Sequence, residues 1–254
     1  FISLVWFLSY RLDIGWYILV VLSPMYQWFF SFGDYPSFFS SYPQLADIQA
    51  PVVEFWALIL LIAFGIAHVR TWFIQGKIHR ITLPGLLCYA LFLLTAIISL
   101  VSLPYEEAIT GVRYMFRFLV FLYIGYIVLG VNIVRDERIW QKSLAFFAYV
   151  GLFAASMGAT SLVLGVWNAD GFHRAVPFAI GHWMPFGDQH IFLGETLTTA
   201  LPVFVYFWYR STGKRKMWWG IGACFVGIIA LLTLSRAAWI TLFVSSILFL
   251  CLIY

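Results

Sequence analysis

Charge is what this chain has least of: fifteen Lys and Arg and eleven Asp and Glu make up 10% of its 254 residues, with a net charge of +4. A soluble domain carries about 25% charged residues, so the deficit excludes a globular cytosolic enzyme. Cysteine is scarce as well. Cys88, Cys224 and Cys251 lie far apart inside apolar runs without metal-ligand spacing, and they are expected to be small core residues. No apolar leader with a small-residue cleavage site opens the chain, because Arg11 and Asp13 follow the first run directly. The chain starts at Phe1 inside one apolar run and stops at Tyr254 at the end of another, so a piece of a longer protein is expected.

What fills the remaining positions is apolar and aromatic: 63% hydrophobic and 20% Phe, Trp and Tyr, with a mean hydropathy of +0.92. Many of the aromatics stand near the ends of apolar runs, where a membrane interface places them. Runs long enough to cross hydrocarbon fall at residues 14–32, 51–70, 84–103, 113–134, 143–166, 191–209, 217–234 and 237–254, with a partial one at 1–8. Barrel strands would be about ten residues of alternating polarity. The expectation is therefore all-α: a polytopic transmembrane helix bundle of about nine spans, one membrane domain over residues 1–254, with no room for a separate soluble domain. Gly151, Gly158 and Gly165 recur every seven residues in one run, a stripe that allows helices to approach closely.

The loops alternate in charge. Arg11, Arg70, Lys77, Arg80, Arg135, Arg138, Lys142, Arg210, Lys214, Arg215 and Lys216 fall on one side, eleven of the fifteen basic residues, and that side reads as cytoplasmic. Eight of the eleven acids fall on the other, where the basic residues are Arg113, Arg117, Arg174 and Arg236, without a lysine. Arg113 and Arg117 are spaced i, i+4 and share a helix face; they serve either to reach headgroups and pair with Glu106 and Glu107 or to hold a common anion. Arg236 sits between two apolar runs with almost no loop, a depth at which a charge usually faces the bundle interior or a wet cavity. Guanidinium fits phosphate bidentately and keeps its charge, so an outward cluster suits the pyrophosphate of a lipid carrier and needs no metal.

The most polar outer stretch runs from Trp167 to His190 and continues into Ile191-Phe192-Leu193-Gly194-Glu195. Its histidines, His173, His182 and His190, are spaced nine and eight apart, which matches no zinc pattern and leaves interfacial or acid–base roles. His68 and His79 flank the basic inner loop and read as structural.

The order of these features resembles the O-antigen ligase and polymerase family of membrane glycosyltransferases, which includes the Wzy-type polymerases. An arginine in an external loop, a short turn and a helix with a mid-span proline stand here as Arg174, Gly187-Asp188-Gln189-His190 and Leu201-Pro202. A Thr-x-Ser-Arg-Gly-Ala-Trp-like signature stands as Thr233-Leu234-Ser235-Arg236-Ala237-Ala238-Trp239, and the arginine-bearing helix as Arg113 and Arg117. The likeness spans roughly residues 84–254; Gln189-His190 replaces the usual Pro-Asn, and Ala237 the usual Gly. The family's large external loop, with its proposed catalytic histidine, would follow the helix that ends here.

The resemblance implies a metal-independent, cofactor-free transfer of a glycan from an undecaprenyl-pyrophosphate carrier to an acceptor hydroxyl, in a bacterial inner membrane with the site facing the periplasm. Arg113, Arg117, Arg174 and Arg236 would bind the donor. His190, Asp188 and Glu195 are the candidates to take the acceptor proton, Glu195 alternatively pairing with Arg174 or Arg236. The expected partners are the lipid-linked glycan, the acceptor and the bilayer, and no nucleic acid. The competing class is a transporter or anionic-lipid-binding membrane protein that uses the same arginines without chemistry.

Overall fold

The computed structural model describes residues 2–31, 49–76, 80–101, 104–166, 171–180 and 183–253. Among them the chain is a series of apolar helices. Helix α1 (Ile2–Tyr10) and α2 (Leu12–Leu22), the latter prolonged by a 3-10 turn at Ser23–Met25, meet at a bend of 108° at Arg11. Then come two short strands, β1 (Phe29–Ser31) and β2 (Gln49–Pro51), paired antiparallel with Phe30 opposite Ala50. Helices α3 (Val52–Gln75) and α4 (Leu86–Val101) follow. Next is a run built from α5 (Tyr105–Arg117), a π-helical stretch (Phe118–Val128) and α6 (Leu129–Ile133). Last come α7 (Glu137–Leu164), α8 (His190–Arg210), α9 (Gly213–Leu232) and α10 (Arg236–Ile253).

Five described helices are long and apolar enough to cross a membrane, or up to six if the bent α1–α2 pair counts as one span, against nine expected crossings. These helices make the chain a membrane-associated helical protein. The run expected at 14–32 shows why the number falls. Its helix ends at Met25, after about 21 Å of rise against the ~30 Å of hydrocarbon. Pro24 cannot donate the next backbone hydrogen bond and Ser23 turns its hydroxyl to the Val20 carbonyl at 2.9 Å. The chain then goes extended as β1. Helix α4 is likewise short, as is the apolar stretch Arg236–Ser245 of α10. At the other boundary, Lys214, Arg215 and Lys216, expected in a loop, form the first turn of α9.

The chain divides into two compact units, Phe1–Leu19 with Val53–Trp140, and Val20–Val52 with Gln141–Tyr254. In the first, Val5 and Leu8 of α1 pack on Ile59 and Ala63 of α3. Arg70 of α3 closes the end of α1: its guanidinium donates to the Ser9 carbonyl at 3.1 Å and lies 3.6 Å over the Tyr10 ring. A cation there satisfies helix-end carbonyls that would otherwise be orphaned. His68, in keeping with a structural role, has Nδ1 3.0 Å from the Phe64 carbonyl; His79 lies outside the described residues.

The second unit is built on α7, α8 and α9. Ala148, Ala154, Ala155, Leu193, Leu197, Ala200, Val226 and Ala230 are all fully buried in one core. A Cβ on Gly151 would stand 2.4 Å from Ala200 Cβ, and one on Gly158 2.7 Å from Ile229 Cγ2, so these glycines bring α7 against α8 and α9. Gly165 departs from the stripe. At φ +67° it ends the helix: its N–H donates to the Leu162 carbonyl and that of Val166 to the Ser161 carbonyl, a left-handed cap. Cys88 and Cys224 depart from expectation too, being exposed on α4 and α9. Apolar sequence does not separate a core face from a lipid face, because both are apolar in a membrane helix.

The glycine contact gives a direct expectation. Gly151→Ala overpacks the α7–α8 interface and should lower stability by about 1–3 kcal/mol. Gly65→Ala, with nothing within 4 Å of the added methyl, should be neutral or stabilising by up to about 1 kcal/mol. Thermal unfolding of the two variants in detergent checks this; equal melting temperatures would contradict the packing.

Candidate functional site

One end of the second unit gathers the ends of four helices. The extended chain after Arg174 is held there by two bonds: Ala175 N–H to the Leu232 carbonyl at the end of α9 (2.8 Å), and Val176 N–H to the Ser161 hydroxyl near the end of α7 (3.0 Å). The Leu232 carbonyl is a helix-end group that needs a partner away from water, and the Ser161 hydroxyl accepts while donating to the Gly158 carbonyl. These bonds fix the backbone beside Arg174, whose half-buried side chain reaches His190, Nη1 to Nε2, at 3.4 Å. A guanidinium can only donate, so the contact requires an unprotonated Nε2 on the imidazole.

His190 is the first residue of α8. Ahead of it Gly187 adopts φ +70°, with Phe192 and Gln27 so close that a Cβ would meet them at 3.0 and 3.1 Å. Gln189 holds the extended cap position without a side-chain cap, and Asp188 is exposed. Phe186, fully buried, packs with its ring centroid 6.0 Å from that of Phe153 on α7 and anchors the turn.

Five residues further along α8, Glu195 accepts a hydrogen bond from the Tyr26 hydroxyl, Oη to Oε2, at 2.9 Å. The Tyr26 ring stands edge-on to Phe192. Burial first, and the neighbouring Glu195 carboxylate second, push the phenol well above its ordinary value, so it stays a donor. Tyr26 was missed in the sequence: it follows Ser23-Pro24-Met25, a legible helix stop, but a partner 169 positions away leaves no local signal.

The signature Thr233–Trp239 forms the turn between α9 and α10. Leu234 has φ +55°, a left-handed conformation that costs a branched side chain about 1–2 kcal/mol. The turn is locked on both sides. The Thr233 hydroxyl donates to the Ala230 carbonyl at 2.7 Å, the Ser235 hydroxyl accepts from Ala238 N–H as the cap of α10, and Trp239 Nε1 donates to the Leu231 carbonyl at 3.1 Å. Gly194 of α8 packs directly on it: a Cβ there would lie 3.1 Å from Ala238 Cβ, 3.2 Å from Thr233 Oγ1 and 3.4 Å from Ser235 Cβ. Glu195 and Arg236 are thus the chain neighbours of two residues in contact.

Arg236 occupies the first position of α10, is exposed, and has no side-chain partner among the described residues. The interior position expected for it gives way to the helix start, where Ser235 ends the preceding apolar run. Glu195 takes Tyr26 as its hydrogen-bond partner instead of the expected Arg174 or Arg236. The other two arginines belong to the first unit. Arg117 forms an ion pair with Glu54 in the first turn of α3, instead of the expected Glu106 or Glu107, and Arg113 lies one turn before it on α5. His173 is exposed, and His182 lies outside the described residues. Among the described residues no three His, Cys, Asp or Glu side chains stand close enough together to hold a metal ion.

The strained turn is testable by itself. Leu234→Gly should raise stability by up to about 1 kcal/mol, because glycine adopts this φ freely. Leu234→Val should lower it by about 1–3 kcal/mol. Circular dichroism melts in detergent would read the order, and the reverse order would refute the left-handed turn.

Compared with known proteins, the chain matches no family model, no curated protein and no solved structure.

Proposed function

We propose that this chain is a membrane glycosyltransferase of the O-antigen ligase and polymerase type, in a bacterial inner membrane and with its site toward the periplasm. It would move a glycan from undecaprenyl pyrophosphate to an acceptor hydroxyl. The observation that carries the reading is the end of the second unit: Arg174 with His190, and Arg236 exposed without a partner beside the α8 turn that bears Glu195.

In the reaction, the acceptor oxygen attacks the anomeric carbon, the bond from that carbon to the pyrophosphate oxygen breaks, and the electron pair leaves with the pyrophosphate. Arg236 supplies an uncommitted planar fork for the departing anion, and Arg174 a second positive charge. The hydroxyl proton needs a base within hydrogen-bond reach. Asp188 is exposed, and among the described residues Glu195 is bonded only through Oε2, to Tyr26, which leaves it a second carboxylate oxygen. His190 Nε2 is engaged by Arg174 and serves better to orient that guanidinium. Arg113 and Arg117 belong to the first unit, where Arg117 pairs with Glu54.

A transporter or lipid-binding protein would use the same arginines without bond cleavage. Pro202 inside α8 favours that second reading, since interrupted helices line transporter sites.

Arg236→Lys tests the donor-binding role, because lysine keeps the charge and loses the fork. One charge-assisted bond to a partly desolvated phosphate is worth about 1.5–3 kcal/mol, so glycan transfer should fall at least about tenfold. Membrane abundance should stay normal. Unchanged transfer at normal abundance would overturn the donor-binding role; loss of the protein from the membrane would make Arg236 a structural residue.

A further inference from the structure

The opposite end of the second unit holds a cavity of about 690 Å³ where α8 ends and α9 begins, within the range of ligand sites. Its floor is aromatic. Trp219 stacks on Phe207 with ring centroids 4.5 Å apart and meets Phe204 edge-on at 5.7 Å. Gly222 makes room for that floor, since a Cβ there would stand 2.7 Å from Phe204 Cε1. Its rim is polar and cationic. Arg210, in the last turn of α8, donates to the Tyr206 hydroxyl at 2.8 Å, which points the guanidinium along the rim. Arg215, in the first turn of α9, also lines the cavity, is exposed and has no side-chain partner among the described residues. Gln141 and Ser211 add neutral donors, and no acidic side chain is among the described residues that line the cavity.

The depth of this cavity along the helices identifies its occupant. Arg210 ends one candidate membrane span and Gly213 begins the next, so the rim stands at the boundary of the apolar segments while Trp218, Trp219 and Leu152 lie inside them. A ligand that fits both levels has an anionic head at two guanidinium groups and an apolar tail along the aromatic floor. A free phosphate would leave the apolar floor unfilled, and a neutral or zwitterionic lipid would bring no net counter-charge to Arg215. We infer that this cavity is a binding site for an anionic phospholipid, its phosphodiester held between Arg210 and Arg215 and one acyl chain laid against Trp218 and Trp219. It lies at the other end of α8 and α9 from Arg174 and Arg236 and is independent of the glycan-transfer reading.

The test uses the full chain purified in detergent, titrated with phosphatidylglycerol or phosphatidylcholine carrying brominated acyl chains, while tryptophan fluorescence is followed. Phosphatidylglycerol should quench at a concentration at least about tenfold lower than phosphatidylcholine. The Trp218→Phe/Trp219→Phe variant should lose that saturable component. Arg210→Gln/Arg215→Gln should abolish the preference, and Arg215→Gln alone should weaken it; Arg215 has no partner to lose, so that variant keeps the test valid if the double variant unfolds. Equal quenching by the two lipids would overturn the site. Displacement of phosphatidylglycerol by excess inorganic phosphate alone would assign it to a free phosphorylated solute and overturn the lipid. Unchanged preference in Arg215→Gln and in the double variant would refute the role of the guanidinium pair.

Discussion

Everything at the candidate site depends on one contact, the backbone of Gly194 laid against Thr233, Ser235 and Ala238. With no side chain at that position, the second turn of α8 can touch the α9–α10 turn directly. The turn can then hold Leu234 in a left-handed conformation, because Thr233, Ser235 and Trp239 bind the backbone on both sides of it. In an apolar surround, each helix-end group left without a partner costs several kcal/mol. The hydroxyls of Thr233, Ser235 and Ser161 therefore do at these helix ends what water does in a soluble protein. The consequence is a charged residue, Arg236, at a helix start that follows an apolar run with almost no loop, where a solvated loop would otherwise be required.

The same pair of helices carries a different chemistry at its other end. Between the α8 start and its last turn, small buried residues, Gly194, Ala200 and the facing Gly151, keep the helices close. At the last turn the side chains become large, aromatic and basic, and a cavity is lined by Phe204, Phe207 and Trp219. One end thus exposes an arginine on a rigid turn, and the other offers a pocket with two arginines at its rim. A close-packed waist between two polar ends is what an apolar bundle needs if each end is to bind a different anion.

Much of this was legible in residues alone, and the reason is physical. Apolar runs of sufficient length become helices in a bilayer because no other backbone satisfies its own hydrogen bonds, and the runs at 51–70, 143–166, 191–209 and 217–234 do so within a few residues. Thr233–Trp239 was readable as a helix turn, and Arg174 with His190 as belonging to one loop. What was not legible depended on distance in the chain or on context. The break at Met25 and the pairing of β1 with β2 interrupt a run whose composition reads as continuous. For Glu195 the sequence offers a catalytic role or an arginine partner because charge is visible in it, whereas the Tyr26 hydroxyl from a distant segment is not. Gly165 fits the seven-residue stripe by spacing but serves as a helix cap, a difference set by φ alone.

The central claim is that the start of α8 and the α9–α10 turn form one rigid end, and a disulfide measures it most directly. The Cβ position at residue 194 lies 3.4 Å from that of Ser235, close to the separation of about 3.5–4.5 Å in a disulfide. In a chain with Cys88, Cys224 and Cys251 replaced by alanine, Gly194→Cys/Ser235→Cys should close on mild oxidation and lose both sites of maleimide labelling, read after denaturation in detergent. A control pair, Gly194→Cys/Gly213→Cys, should stay fully labelled. A 194–235 pair that remains as reactive as the control would contradict the account, since Glu195 and Arg236 would then not share one end of the bundle.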